Sequence, residues 1–205
     1  MIGLAARLAP LGVALVAREI APGDEAAFVD PAEPLARRRA SGAARLAARE
    51  ALASLDGPAD ATLPRSPGRF PLWPAGFVGS LAHDGSLAVA AVARAQHMAA
   101  LGVDLELAEP LPDDVAGIAL FGPERREAAS DPARGRLIFA AKEAVYKAIN
   151  PLEGSQLEYE DIAVDLLSEG GPIERSARAR LRDGRTLRLD YARGRRWLVV
   201  ASISR

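Results

Sequence analysis

The sequence predicts an α+β protein built of two halves. Three observations support this. Two long helix-forming segments, Leu35 to Leu55 and Asp131 to Asn150, lie in different halves of the chain. Runs of strand-forming residues closed by glycine-containing turns follow each of them. The order strand, helix, loop, strands then occurs roughly twice without a clear sequence repeat, so the chain is expected to divide near residue 100 into halves 1–100 and 101–205.

The first element is expected to be a strand, Val13 to Arg18. The apolar run Leu8 to Ala17 that contains it is interrupted by Pro10, is preceded only by Arg7, and is too short to span a bilayer, so export is not expected. The segment "APGDEAAFVDPAEP" is loop, and Leu35 to Leu55 is a helix free of proline. Ala36, Ala40, Ala43, Ala47 and Ala51 form a smooth stripe along it, with Arg38, Arg45 and Arg49 on roughly the opposite face. By spacing alone, that arginine row reads as a solvated face. From Gly57 to Gly76, Pro58, Pro64, Pro67, Pro71 and Pro74 exclude a helix or central strand, while Phe70, Trp73 and Phe77 call for something to pack on.

"FVGSLAHDGSLAVAAVAR" reads as strand, turn at Asp84-Gly85, strand, and "MAALGVDLELAE" as a further strand. In the second half, "DDVAGIALF" and Pro123 to Ala129 are short helices. Asp131-Pro132 supplies the N-cap and first-turn proline of a helix ending at Asn150-Pro151. Strands are expected around Ile162 to Leu167, Ala177 to Leu181, Thr186 to Tyr191 and Trp197 to Ile203.

Composition narrows the function classes. In 205 residues, 49% are apolar, enough for a real core. The 26 Lys+Arg against 27 Asp+Glu leave a net charge of −1, so no global field draws the chain to nucleic acid or an anionic membrane. The absence of cysteine excludes disulfides, thiolate zinc sites and cysteine nucleophiles, and is compatible with the expected cytoplasmic location.

Two segments carry chemistry. In "GVDLELAE" alternation sets Val103, Leu105 and Leu107 on one face of a strand and Asp104 and Glu106 on the other. Adjacent carboxylates repel unless they meet water, a basic partner or a hard divalent cation, and an edge strand with a solvated acidic face remains the alternative. In "LIFAAKEAVYKAINP" the apolar face of Ile138, Ala141, Val145, Ala148 and Ile149 leaves Phe139, Glu143, Tyr146 and Lys147 on a neighbouring stripe. Glu143 and Lys147 are an i,i+4 pair, which alone reads as an ordinary helix salt bridge.

Together, "GVDLE" and "FAAKEAVYKA" resemble the signature of the 4′-phosphopantetheinyl transferases, G-(V/I)-D-(I/L)-E followed by (W/F)-x-x-K-E-(A/S)-x-x-K. The blocks "RRRASGAARLAAREAL", "PRSPGRFPLWPAGFVGSLAH" and "GSLAVAAVAR" resemble, in order, those of the enterobactin-synthetase type, a monomeric class, which implies an α+β fold of two pseudo-symmetric α/β halves, each a small, mainly antiparallel sheet packed on helices. The resemblance runs from about Arg37 to Asn150. It implies transfer of the phosphopantetheine arm of coenzyme A to a serine of an acyl or peptidyl carrier protein, in a soluble monomer with its cleft between the halves. It also implies that Asp104, Glu106 and Glu143 hold Mg²⁺, with Mn²⁺ the alternative, and that Glu143 takes the serine proton. By the same match Lys147 pairs with the pyrophosphate and Lys142 is a second contact. Arg38, Arg45, Arg69 and His83 would bind the nucleotide and its phosphates. His97 has no such context and reads as surface loop.

There is one departure in "SLAH", where Ala82 stands in place of the family's usual Ser or Thr. If that hydroxyl binds phosphate, its loss costs on the order of 1 kcal/mol, or up to about 3 kcal/mol against a charged acceptor. Two other activities are weighed: a coenzyme A binding module without catalysis, which the retained Lys147 disfavours, and a metal-dependent phosphoesterase, which would not need the arginines and His83.

Overall fold

The computed structural model of the chain describes residues 2–28, 30, 32–154, 157–166 and 174–205. Two antiparallel sheets dominate it. The first has three strands in the order β1 (Val13–Glu19), β3 (Leu87–Arg94), β2 (Phe77–Asp84). The second has five, in the order β4 (Met98–Leu107), β8 (Arg196–Ser204), β7 (Thr186–Arg193), β6 (Glu174–Leu181), β5 (Ile162–Asp165). The α+β class and the two-half arrangement therefore stand, although the halves are unequal. The seam falls in the turn before Met98, because β4 pairs with β8 and not with the strands that precede it in sequence. The expected strand end at Leu167 lies outside the described residues.

Helix α1 (Ile2–Leu8) is an element the sequence reading did not foresee. Leu4 and Leu8, one turn apart, are both fully buried and dock the helix into the core shared by the two sheets. That core takes Val89, Ala91 and Ala93 from β3, Leu101, Val103 and Leu105 from β4, and Leu198 and Val200 from β8. Ala82 belongs to it as well.

Each sheet carries one long helix. Helix α2 (Leu35–Ser54) lies on the three-stranded sheet through Ala43, Ala44, Ala47, Ala48 and Ala51, facing Ala88, Ala90 and Val92. Of the expected stripe, Ala43, Ala47 and Ala51 make this contact, joined by Ala44 and Ala48, whereas Ala36 is exposed. Gly42 closes the other side, since a β-carbon there would stand 1.8 Å from the Asp24 carbonyl oxygen.

The helices α3 (Asp113–Ala119) and α4 (Pro123–Ser130) lead into α5 (Pro132–Glu153), which is capped by Asp131 accepting from the Ala133 amide at 3.0 Å. It runs through Pro151 to Glu153, one turn beyond its expected end, and Gly154 terminates it. Ile138, Ala141, Val145, Ala148 and Ile149 form its buried face, as the periodicity predicts. Against β4 the fit is tightest at Gly102, where a β-carbon would lie 1.9 Å from the Ala144 carbonyl oxygen. The edge strands β2 and β4 pack beside each other, and α5 passes across that junction.

Candidate active site

At this junction a cleft of about 460 Å³ opens between the two halves. Arg37 of α2, Arg69 and Trp73 of the proline-rich loop and Ser80 of β2 line one side, with Glu143 and Lys147 of α5 on the other. Of the nine expected site residues, Arg69, Glu143 and Lys147 thus share one cavity. Arg69 has a backbone φ of 68°, a left-handed conformation uncommon for a residue with a side chain, and its guanidinium is held at 3.0 Å by Glu33.

The expected strand alternation holds up to Glu106, whereas Leu107 at the strand end is exposed. Val103 and Leu105 enter the core, and Asp104 and Glu106 point the other way. Lys147 Nζ lies 2.5 Å from Asp104 Oδ1, so the helix and the strand meet through this pair. The other oxygen, Asp104 Oδ2, is buried and has no hydrogen-bond partner. Glu106 Oε2 is bound by Arg136 at 3.0 Å. Burial and then the charge of Asp104 push the Glu106 carboxyl above its usual range, against the pull of Arg136. Glu143 Oε1 accepts a hydrogen bond from the Tyr159 hydroxyl at 2.5 Å. Burial first, then that bond, push the Tyr159 phenol up, so it remains the donor at neutral pH.

Among the described residues no group of three carboxylates or imidazoles stands ready to hold a metal ion as the side chains lie. The expected centre of Asp104, Glu106 and Glu143 is not assembled in this arrangement, because each carboxylate already has one protonated partner. The donor chemistry still fits a hard dication. It consists entirely of oxygen, and an unpartnered buried carboxylate oxygen such as Asp104 Oδ2 is costly without a cation or a donor.

His83 follows on β2 and lies within electrostatic reach of Lys147 and Arg37. The side chain keeps solvent exposure, yet desolvation by its surroundings first, then those two cations, hold its imidazole below the ordinary value. Arg37 and Lys147 are themselves ion-paired, with Glu33 at 3.4 Å and Asp104 at 2.5 Å.

Two expected contacts are corrected by the geometry. Lys142 is fully buried and ion-paired with Glu124 at 2.7 Å, and donates to the Ala119 and Tyr159 carbonyls at 2.8 and 2.9 Å. It points away from the cleft and joins α5 to the segments on either side. Arg45 is 5% exposed, donates to the Leu63 and Ser41 carbonyls, and stacks on Phe28 at 3.9 Å. It faces a separate depression of about 310 Å³ bordered by Arg49 and Arg65. Arg38 does not line the cleft, and its Nε is buried without a partner.

Ala82 is likewise clarified. It is 5% exposed and belongs to the apolar core, so a hydroxyl there would start from a buried β-carbon beside Val89. Arg136 and Tyr159 are contacts that sequence reading missed. Arg136 sits one turn before Phe139 on the same helix, a proximity the sequence does show, whereas nothing local marks Tyr159.

Comparison with known proteins bears on the family of the chain. The model of the 4′-phosphopantetheinyl transferase N-terminal domain matches residues 24–93, and that of the 4′-phosphopantetheinyl transferase superfamily matches residues 100–199. The chain is 41% identical over 150 residues to the 4′-phosphopantetheinyl transferase Svp of Streptomyces mobaraensis, covering 69% of this chain and 60% of that protein. It is 37% identical over 141 residues to the 4′-phosphopantetheinyl transferase Npt of Nocardia iowensis, covering 67% and 63%. The 4′-phosphopantetheinyl transferase PptT of Mycobacterium tuberculosis is 35% identical over 145 residues, covering 65% and 64%. The matched region thus spans somewhat less than two thirds of the length of each relative.

Proposed function

The chain belongs to the 4′-phosphopantetheinyl transferase superfamily, and on that premise we propose that it moves the 4′-phosphopantetheine arm of coenzyme A onto a serine of an apo acyl or peptidyl carrier protein. The observation that carries this reading is the cleft itself. It sets Glu143 and Lys147 of one half opposite Arg37 and Arg69 of the other, with His83 nearby and the carboxylates of Asp104 and Glu106 behind Lys147.

The bond to be formed joins the serine Oγ to the β-phosphorus of coenzyme A. The bond to be broken joins that phosphorus to the bridging oxygen, which leaves with adenosine 3′,5′-bisphosphate. Arg69 and His83 bind phosphate groups of the nucleotide and fix its direction in the cleft, leaving the 1–100 half to hold the nucleotide. Glu143 accepts the serine proton, and Lys147 offsets the charge that develops on the departing oxygen. Both belong to the 101–205 half. Asp104, Glu106 and Glu143 would hold Mg²⁺, or Mn²⁺, which when bound offsets the charge of the pyrophosphate. Holding donor and acceptor in line across one cleft supplies much of the acceleration. In this reading the protein acts as a cytoplasmic monomer, since both sides of the cleft come from one chain. No helix among the described residues is long and apolar enough to cross a membrane.

The test is mass spectrometry of an apo carrier protein incubated with the protein, coenzyme A and Mg²⁺. A gain equal to one phosphopantetheine arm, absent with chelator and with Glu143→Ala, is the expected result. Coenzyme A binding by calorimetry with no mass gain on several unrelated carriers would overturn the transferase in favour of a binding module.

A further inference from the structure

Three residues of the motif "FAAKE" converge on one residue outside it. Phe139, Lys142 and Glu143 occupy positions i, i+3 and i+4 of α5 and so share a face. The ring of Phe139 lies 5.9 Å from that of Tyr159, tilted by 44°. Lys142 Nζ donates to the Tyr159 carbonyl at 2.9 Å, and the Tyr159 hydroxyl donates to Glu143 Oε1 at 2.5 Å. The ring, the backbone and the hydroxyl of one residue are each gripped by a different motif residue.

Tyr159 is also anchored from its other side. It opens a short helical turn, Tyr159–Asp161, held by reciprocal bonds between Glu158 and Asp161. The Asp161 carboxylate pairs with Arg182 at 3.0 Å, and its carbonyl accepts from the Arg182 amide at 2.9 Å. A hydroxyl mounted on so many fixed points is a rigid donor. Its acceptor is one oxygen of a glutamate on the wall of the cleft.

We propose that Tyr159 is a positioning residue: its hydroxyl holds Glu143 Oε1 so that Oε2 is presented to the cation shared with Asp104 and Glu106. The inference rests on the transferase reading, because it gives Glu143 a cation to hold. It accounts for the spacing of the motif's aromatic, lysine and glutamate in a way that the glutamate alone does not. Lys142, buried and outside the cleft lining, then contributes by fixing the backbone of Tyr159. Asp104 has the same pattern, with Oδ1 taken by Lys147 and Oδ2 left unpartnered. Hydrogen bonds of this outer kind orient metal-binding carboxylates, and their loss typically weakens metal affinity by about 10- to 100-fold.

The experiment is Tyr159→Phe in the full chain. The substitution keeps the ring against Phe139 and the carbonyl on Lys142 and removes only the hydroxyl. Calorimetric titration of Mg²⁺ into the coenzyme A complex should show affinity weakened by about 10-fold or more, while metal-free coenzyme A affinity changes by less than about twofold. In the transfer assay the Mg²⁺ concentration for half-saturation should rise, with turnover recovered at saturating Mg²⁺ and the KM for coenzyme A unchanged. A merely structural tyrosine would not divide the effect in this way.

Should Tyr159→Phe lower the melting temperature, the double variant Tyr159→Phe/Glu143→Gln decides. It should bind Mg²⁺ no more weakly than Glu143→Gln alone, because the hydroxyl acts through that carboxylate. Equal Mg²⁺ affinity in wild type and Tyr159→Phe, or additive losses in the double variant, would overturn the inference while leaving the transferase reading intact. A wild-type protein that neither binds Mg²⁺ with coenzyme A nor modifies a carrier would overturn both.

Discussion

Helix α2 rests on its three-stranded sheet through alanines and meets the Asp24 carbonyl through Gly42 on its other side, and α5 rests on β4 through Gly102, so each brings helix backbone hard against a neighbour. Their charged side chains have different fates. On α2, Arg45 and Arg49 turn back to the carbonyls of Leu63, Ser41 and Ala61 and bind the proline-rich loop to the helix. On α5, Lys142 is used inwardly in the same manner, while Glu143 and Lys147, within five residues of it, line the cleft. A cation in a motif is therefore available to a ligand only where the fold has not already supplied its acceptors. Spacing puts a side chain on a face, and the neighbouring loops decide what that face meets.

The contrast can be broken most forcefully at Lys142. Lys142→Met leaves Glu124 buried without its cation, and denaturant unfolding should show a loss of about 3–5 kcal/mol. A loss under about 1 kcal/mol would show that Lys142 does not have the structural role assigned to it. Lys147→Met should do the reverse, lowering kcat for transfer by about 100-fold or more with only a modest change in unfolding midpoint, since Lys147 is partly exposed in the cleft.

A smaller effect is expected at His83. Its depressed imidazole is neutral in the free protein at pH 7, so the associated stability is present above the ordinary value of 6.5 and is lost as pH falls toward the folded value. A bound phosphate favours the imidazolium. Coenzyme A affinity should therefore strengthen as pH falls from about 8 to about 6, by at most about 10-fold per pH unit for one linked proton, and His83→Gln should flatten that part of the profile. The smallest effect belongs to Ala82→Ser. With its β-carbon in the apolar core, the variant should lose about 1 kcal/mol of stability and leave coenzyme A affinity within about twofold. A clear gain in affinity would show that the position does reach the nucleotide.

Much of this arrangement was legible in the sequence because the signals are local. The alternation of Asp104 and Glu106 against Val103 and Leu105, the buried face of α5, and its Asp131-Pro132 start all follow from periodicity and capping. Helix α1 was not, because it is short and only Leu4 and Leu8 anchor it, too few positions to display a helical period. The pairing of β4 with β8 joins segments nearly a hundred residues apart, beyond anything that spacing records. For the same reason Tyr159 and the inward turn of Lys142 and Arg45 were invisible: each depends on which distant carbonyl or carboxylate the fold delivers. The motif's glutamate and second lysine were readable as a pair, but the use of its first lysine was not.

The contact at Gly102 has a mechanical consequence. With no room for even a methyl group between β4 and α5, the strand bearing Asp104 and Glu106 and the helix bearing Glu143 and Lys147 form a single fixed jaw. Any yielding needed to admit a long, flexible substrate must then come from the opposing jaw, where the proline-rich loop is moored to α2 by arginine side chains. Amide exchange should be slowest along the fixed jaw and fastest along that loop.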